Sequence, residues 1–302
     1  MSDFLKIESI SQLHRMLGYD KPRHPLITVI DYSQVKNRPE HFNVKIVVDF
    51  YVISLKSPAP VALQYGRQYY DFDEGTMLFM APGQVFSVQE FNEDSQYDGW
   101  GLYFHPDLLV QADLGRRMKE YTFFSYAVSE ALHVSEDEQQ TLSVLVDTIR
   151  KEYSSNLDVY SQRVIVTAIE QLLNYAQRFY GRQFLTRQKF NTDLISRFEA
   201  LLAGYFARGQ QTEQGLPAVE YLAAELHLSP SYLTDLLKRE TGKTTKEYIQ
   251  TYVIEQAKLR LLNSTETVNE IAYGLGFDYP QYFNRLFKAK TGMTPVEYRT
   301  LN

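Results

Sequence analysis

The chain has 302 residues, 44% of them hydrophobic and 23% charged, with a formal net charge of −6 and no cysteine. The length predicts two domains at roughly 100–200 residues each, and the ordinary composition excludes disorder, collagen and a coiled-coil rod as whole-chain descriptions. Zero Cys removes disulfides, Cys-ligated zinc, iron–sulfur clusters and thiol nucleophiles together. The charge is unevenly placed: residues 1–185 hold 17 Lys/Arg against 24 Asp/Glu, whereas residues 186–302 hold 14 against 13. The start, MSDFLKIESI, is acidic and alternating, unlike a signal peptide. The most apolar run, Val44–Leu55, is interrupted by Lys45 and Asp49 and is too short for a membrane span. A cytoplasmic protein with no membrane partner is expected.

From about residue 26 to 104 the texture is strand-like, with short β-branched and aromatic runs between turn residues. The runs are Leu26–Asp31, Val44–Leu55, Val61–Tyr65, Thr76–Met80, Gln84–Gln89 and Gly99–Phe104. In the second of them Val44, Ile46, Val48, Phe50 and Val52 occupy one alternating face. Many short strands at this spacing predict a sandwich or small barrel. The period then becomes helical, weakly over Asp107–Tyr121 and clearly at Leu142, Leu145, Val146, Ile149 and Tyr153. A second stripe follows at Ile165, Ala168, Ile169, Leu172, Ala176 and Phe179. This helical hairpin turns at Ser154–Asp158 and buries its stripes on the barrel, on itself or on a second subunit. Leu142, Leu145, Ile149, Ile165 and Leu172 are its candidate dimerisation residues. Gly181–Asn191 lacks a clean period and reads as a linker, which places a domain boundary between residues 1–185 and 186–302.

Beyond the linker everything reads as helix, and the segment repeats itself. LAAELHLSPSYLTDLLKRETGKTTKEYI (Leu222–Ile249) lies over IAYGLGFDYPQYFNRLFKAKTGMTPVEYR (Ile271–Arg299), with one extra residue near Pro280. Tyr232, Leu233, Leu236, Leu237 and Lys238 match Tyr282, Phe283, Leu286, Phe287 and Lys288. In each copy a short helix ends at a tight turn, His227-Leu228 or Gly276-Phe277, and a second helix opens with Pro230 or Pro280 at its first position. Gly242 and Gly292 stand where a helix needs a left-handed C-terminal residue. The next helices open with capping boxes, Thr244 with Glu247 and Thr294 with Glu297. Helix, tight turn, helix is the helix-turn-helix pattern, whose second helix enters the DNA major groove.

The second helices carry the matching chemistry. With Phe283, Leu286 and Phe287 inward, Gln281, Asn284, Arg285 and Lys288 are left on the outer surface. Gln and Asn pair bidentately with adenine, Arg pairs with guanine, and Lys holds a phosphate. The first copy exposes Ser231, Thr234, Asp235, Lys238 and Arg239, a weaker set, because Asp235 accepts from cytosine but repels phosphate. The competing reading of both copies is a helical interaction module with solvated polar faces.

On Ile271-Ala272, Gly276-Phe277, Tyr282-Phe283, Arg285, Phe287-Lys288, Gly292, Thr294-Pro295 and Glu297-Tyr298-Arg299, the chain resembles the AraC/XylS family of transcription regulators. The likeness is dense over about 110 residues. It implies an α+β chain: a cupin-like N-terminal β-barrel with a helical hairpin, then an all-α domain of two helix-turn-helix subdomains. A bridging helix, here Lys246–Leu262, would join the two, and the recognition helices would enter successive major grooves about one helical turn, roughly 10–10.5 base pairs, apart. By position, the resemblance puts base contacts on Ser231, Thr234 and Asp235 and on Pro280, Gln281, Asn284 and Arg285. The chain departs from the family at Val253 in the bridging helix and at Asp235, where Arg is frequent, which predicts modest affinity for the first half-site.

The N-terminal likeness runs from Glu74-Gly75-Thr76 through Phe79-Met80-Ala81-Pro82-Gly83-Gln84, similar to the cupin stretch that precedes a metal-binding His. Here Val85-Phe86 follow, and His14, His24, His41, His105, His133 and His227 show no metal-ligand spacing. No metal and no cofactor are expected. There is no G-x-S-x-G and no phosphate-binding glycine loop, while Asp71, Asp73, Glu74, Glu93 and Asp94 border turns as solvated charges. Barrel aromatics, with Tyr51, Tyr65, Phe86 and Trp100 as candidates, would line a pocket for a small-molecule effector. The expectation is therefore a non-enzymatic, dimeric, sequence-specific regulator of promoter DNA, acting with RNA polymerase. Its rival is a metal-free, isomerase-like cupin enzyme whose C-terminal helices serve only in assembly.

Overall fold

The computed structural model describes residues 4–35, 45–57, 64–65, 68–69, 75–87, 98–155 and 157–301. The chain divides into two compact units, Met1–Thr186 and Arg187–Asn302. The acids Asp71, Asp73, Glu74, Glu93 and Asp94 lie outside the described residues, as do His41 and most of Val61–Tyr65.

The first unit begins with β1 (Phe4–Ile7) and α1 (Ile10–Leu17), a helix opened by the Ser9 hydroxyl and closed by Gly18 at φ 73°. There follow β2 (Ile27–Asp31), β3 (Lys45–Val48), β4 (Tyr51–Ser57), a short pair β5 (Gln64–Tyr65) and β6 (Gln68–Tyr69), β7 (Gly75–Met80), β8 (Val85–Ser87) and β9 (Asp98–Phe104). After α2 (Asp113–Arg117) and its flanking 3-10 turns come β10 (Leu132–Val134), α3 (Glu136–Ser154) and α4 (Ser161–Thr186). Strands β10-β7-β4-β9-β2 form one antiparallel sheet, and β1-β3-β8 form a second.

Two local expectations change here. Val44–Leu55, read as a single alternating run, bends at Asp49-Phe50 and places β3 and β4 in different sheets. The alternation nevertheless survives the bend, because Ile46, Val48, Phe50 and Val52 are all buried in one cluster between the sheets with Ile10 and Leu13 of α1. The weak helical period of Asp107–Tyr121 resolves into α2 between two 3-10 turns rather than a single helix.

The five-stranded sheet is covered on both faces. Ile53, Leu55, Phe79, Trp100, Leu102 and Phe104 share the face turned to the helices. There the Trp100 indole donates to the Ser143 hydroxyl at 3.1 Å, and the Phe79 ring lies 6.1 Å from that of Tyr180. Val52, Met80 and Tyr103 share the opposite, inner face and pack toward the second sheet. Leu142, Leu145, Ile149, Ile165 and Leu172 are all buried inside this unit, where α3 packs on α4. These candidate dimerisation residues pack within the chain's own core, which leaves the exposed side chains of the hairpin as the surface it offers a second subunit.

The second unit is all helix: α5 (Gln188–Ala207), α6 (Gln211–Gln214), α7 (Val219–Glu225), α8 (Pro230–Thr241), α9 (Thr245–Asn263), α10 (Val268–Gly274), α11 (Pro280–Thr291) and α12 (Pro295–Leu301). Gly181–Asn191, expected as an irregular linker, is instead the end of α4 and the start of α5, interrupted at Arg187. One apolar core holds the unit together, with Leu222, Leu233 and Leu237 from the first repeat, Ile271, Phe283 and Phe287 from the second, and Val253, Ile254, Ala257 and Leu261 of α9 between them. Val253 has 0% exposure. Its position is internal, so its departure from Arg removes no surface cation.

Candidate nucleic-acid interface

Each repeat builds its turn by the same backbone device. The last turns of α7 and α10 close on a residue in the left-handed region, His227 at φ 58° and Gly276 at φ 90°. The following amides fold back alike, Leu228 N–H onto the Ala223 carbonyl and Phe277 N–H onto the Ala272 carbonyl. Gly276 is doubly constrained, since a Cβ there would stand 2.8 Å from the Gln211 carbonyl oxygen. A side chain in copy one thus sits where copy two has room for none.

The helices that follow are capped at both ends. Gly242 (φ 75°) and Gly292 (φ 80°) close α8 and α11, their N–H groups returning to the Lys238 and Lys288 carbonyls. Thr244–Glu247, Thr267–Glu270 and Thr294–Glu297 form reciprocal hydrogen bonds at the starts of α9, α10 and α12. The Thr backbone N–H groups hold the three Glu carboxyls below the usual glutamate value, because a donated hydrogen bond favours the anion. At the N-termini of the second helices the copies differ. The Ser229 hydroxyl accepts the Tyr232 N–H, whereas Tyr279 occupies the corresponding position of α11 without a side-chain cap. Such a missing cap costs about 0.5–2 kcal/mol.

On α11, Gln281, Arg285 and Lys288 are exposed and Pro280 sits at the first helical position. Asn284 is half-buried, and its Oδ1 is enclosed without a hydrogen-bond partner. It therefore cannot offer both amide atoms to adenine in this rotamer. On α8, Lys238 and Arg239 are exposed, while Ser231, Thr234 and Asp235 are half-buried. The Thr234 hydroxyl lies 3.1 Å from that of Thr245 and braces α8 against α9. Tyr232 and Tyr282, aligned in the repeat, part company: Tyr232 is 3% exposed and Tyr282 is 52% exposed.

The sequence reading missed an exposed row on α11. Tyr279 and Tyr282 meet edge to face with ring centroids 5.8 Å apart, and the Arg285 guanidinium lies 5.3 Å from the Tyr282 ring centroid. Residues three apart share a helix face, so the spacing 279, 282, 285 held the signal. The adjacent core residue Phe283 masks it.

The candidate effector residues do not converge. Tyr51 stacks on Phe104 and borders a pocket of about 350 Å³ with Leu109, Val110 and Met118. Trp100 is buried against α3, Phe86 is half-buried on the inner side, and the Tyr65 side chain lies outside the described residues. Period two puts Tyr51 and Trp100 on the helix-facing side of the sheet, whereas Phe86 packs on the inner side. The inner face instead carries a polar group unforeseen from sequence. Tyr32 donates to the Ser54 hydroxyl at 2.9 Å and lies 3.2 Å from the Tyr103 hydroxyl, and the Lys56 ammonium is 5.9 Å from the Tyr32 ring. Burial pushes the Lys56 pKa down and the Tyr103 pKa well up, as desolvation does for any group that must charge. Across from Lys56, the Thr76 hydroxyl is buried with no hydrogen-bond partner.

Among the described residues no cluster of three or more His, Asp or Glu could hold a metal, and no helix is long and apolar enough to cross a membrane. Residues 222–300 match a family model described as a helix-turn-helix domain. The chain is 36% identical to the uncharacterized HTH-type transcriptional regulator YobQ of Bacillus subtilis over 27% of this chain and 34% of that protein. It spans only about a third of that relative's length. YijO of Escherichia coli, an uncharacterized HTH-type transcriptional regulator, is 28% identical over 75% of this chain and 76% of its own. The DNA-binding domain of the global transcriptional factor AdpA, solved in complex with a target DNA, is 26% identical over 34% of this chain and 90% of that one, with a TM-score of 0.31. YobQ and YijO both carry the name of transcriptional regulators.

Proposed function

We propose that this chain is a DNA-binding transcription regulator of the AraC/XylS type, and that it reads promoter sequence chiefly through its second recognition helix. The observation that carries the proposal is the exposed set Gln281, Arg285 and Lys288 on α11, set against the half-buried Ser231, Thr234 and Asp235 of α8. Arg285 is the guanine reader and Gln281 the adenine reader. Lys288, with Lys238 and Arg239 on α8, holds phosphates and fixes register. Pro280 sets the start of the helix rather than a base contact, and Asn284 contributes only its NH2 group.

Control by a small molecule in the N-terminal unit is the second part of the proposal. The inner-face group Tyr32, Ser54, Lys56, Thr76 and Tyr103 supports it better than Tyr51, Tyr65, Phe86 and Trp100 do, because it combines phenol, hydroxyl and ammonium donors on one buried face. An effector with acceptor oxygens suits that set, and it acts by preferring the DNA-competent arrangement. The regulator works as a homodimer in the cytoplasm, with RNA polymerase as its downstream partner.

Selection of sites from a random duplex pool with the full-length protein tests the first part. Enrichment of two blocks about one helical turn apart, the block read by α11 being the stricter, is expected. A pool that stays random at low salt, where phosphate contacts are strongest, would remove sequence readout as the function.

A further inference from the structure

Building on the reading of Arg285 as a base-contacting arginine, we infer that Tyr282 is its positioning residue. The exposed Tyr282 ring is a platform that holds the guanidinium on the outer face of α11 before DNA arrives. The two residues are three apart, hence neighbours on one helix face, and 5.3 Å separates the Arg285 guanidinium carbon from the ring centroid. That lies within the roughly 6 Å reach of a cation–π contact.

Packing does not account for Tyr282. The core side of α11 is filled by Phe283 and Phe287, both at 0% exposure, whereas Tyr282 stands 52% exposed on another face. Tyr279 then meets it edge to face at 81°, a second contact that restricts the Tyr282 ring. Two large aromatics in solvent, one of them at the N-terminal position where a capping hydroxyl would serve the helix better, break local rules for stability. Local rules are broken most often where function is placed.

Arg285 also has no competing anchor. Arg260 is fixed by Glu266 at 3.0 Å, and the Arg299 guanidinium donates to the Leu261 carbonyl at 3.0 Å. Arg285 forms no hydrogen bond or ion pair with the described residues, and only the Tyr282 ring orients it. A guanidinium resting on an aromatic face keeps its N–H fork free at the edge, the geometry a guanine O6/N7 pair requires. Binding a flexible arginine costs rotamer freedom, and holding it beforehand removes part of that cost. The first repeat lacks the device, with the Tyr232 ring in the core and Asp235 in the matching place.

The test measures full-length protein on the site enriched from the random pool, with every base pair replaced in turn, and on an unrelated duplex. Four variants are compared: R285A, Y282F, Y282L and the Y282L/R285A double. Discrimination at the base pair that R285A relaxes should fall about two- to fivefold in Y282L, the span of an exposed cation–π contact. Y282F should retain it, and Y282L should add nothing further in the R285A background. Binding to the unrelated duplex, its salt dependence and the thermal midpoint should stay as in the parent, which a general loss of fold would not allow. If R285A lowers affinity evenly at every position, the base-reading premise is overturned and the positioning role falls with it. If R285A acts at one base pair but Y282L leaves that pair unchanged, weakens all positions alike, or is matched by Y282F, the positioning role alone is overturned.

Discussion

The two helix-turn-helix copies share one plan and diverge at the residues that would meet DNA. Both close their turns on a left-handed residue and both end their second helices on glycine. Copy one is better made as a helix: Ser229 caps α8, and Tyr232, Leu233, Leu236 and Leu237 are all buried. Copy two gives up the cap, buries only Phe283 and Phe287 along α11, and turns two tyrosines and an arginine to the outside. The capped, more deeply buried helix is in one copy and the more exposed polar and aromatic face in the other. A duplicated motif held on a common core can divide its labour in this way, since either helix is positioned by packing that both supply.

Four groups of measurements test that contrast. The largest effect belongs to the turns. Gly276→Ala places a Cβ against the Gln211 carbonyl at a backbone angle that L side chains rarely adopt, and about 2–3 kcal/mol of stability should be lost in chemical denaturation. His227→Gly at the equivalent turn should do the reverse, gaining up to about 1 kcal/mol. Next, Arg285→Ala should cost about 1–3 kcal/mol on the selected site. Asp235→Ala at the matching place of α8 should change binding by less in the same titration. Equal losses from both would erase the division between the copies.

A smaller effect concerns the missing cap. Tyr279→Ser should raise stability by about 1 kcal/mol, as a restored N-cap does, seen as a higher thermal midpoint, while binding to the selected site weakens. The smallest is acid sensitivity. Glu247, Glu270 and Glu297 have pKa values lowered in the folded state, so their stabilisation is complete above the unfolded glutamate value, about 4.3. It is lost as pH falls below that value and through the lowered folded values. Replacing all three by Gln should flatten this part of the acid-unfolding curve.

The second unit was legible almost residue by residue because its signals are local. Proline at the first helical position, glycine at the end and Thr-x-x-Glu boxes each report a few successive residues, and the repeat presents them twice. Signals that need a partner from elsewhere were not legible. That the Thr234 hydroxyl meets Thr245, or that Val253 lies inside the core, depends on how α8 and α9 pack. In the first unit, alternation identified the inward face of Val44–Leu55 but not the bend that sends its halves to different sheets. The faces of the barrel aromatics were not legible for a related reason. Both faces of the larger sheet are covered, so aromatic content cannot tell the side packed on helices from the side facing the second sheet. Only pairing register separates Trp100 from Gly101 and Tyr103. Gly181–Asn191 misled by composition, since its basic and polar residues belong to the end of α4 and the start of α5.

Helix α9 imposes one further constraint, on inheritance. Val253, Ile254 and Ala257 are shared by the packing of both copies, so no substitution there is private to one half-site. On the proposed reading, a change there that loosens the reader of one DNA block loosens the reader of the other. The recognition surfaces can drift separately, one toward a new promoter while the other keeps the old, but the segment between them answers to both at once.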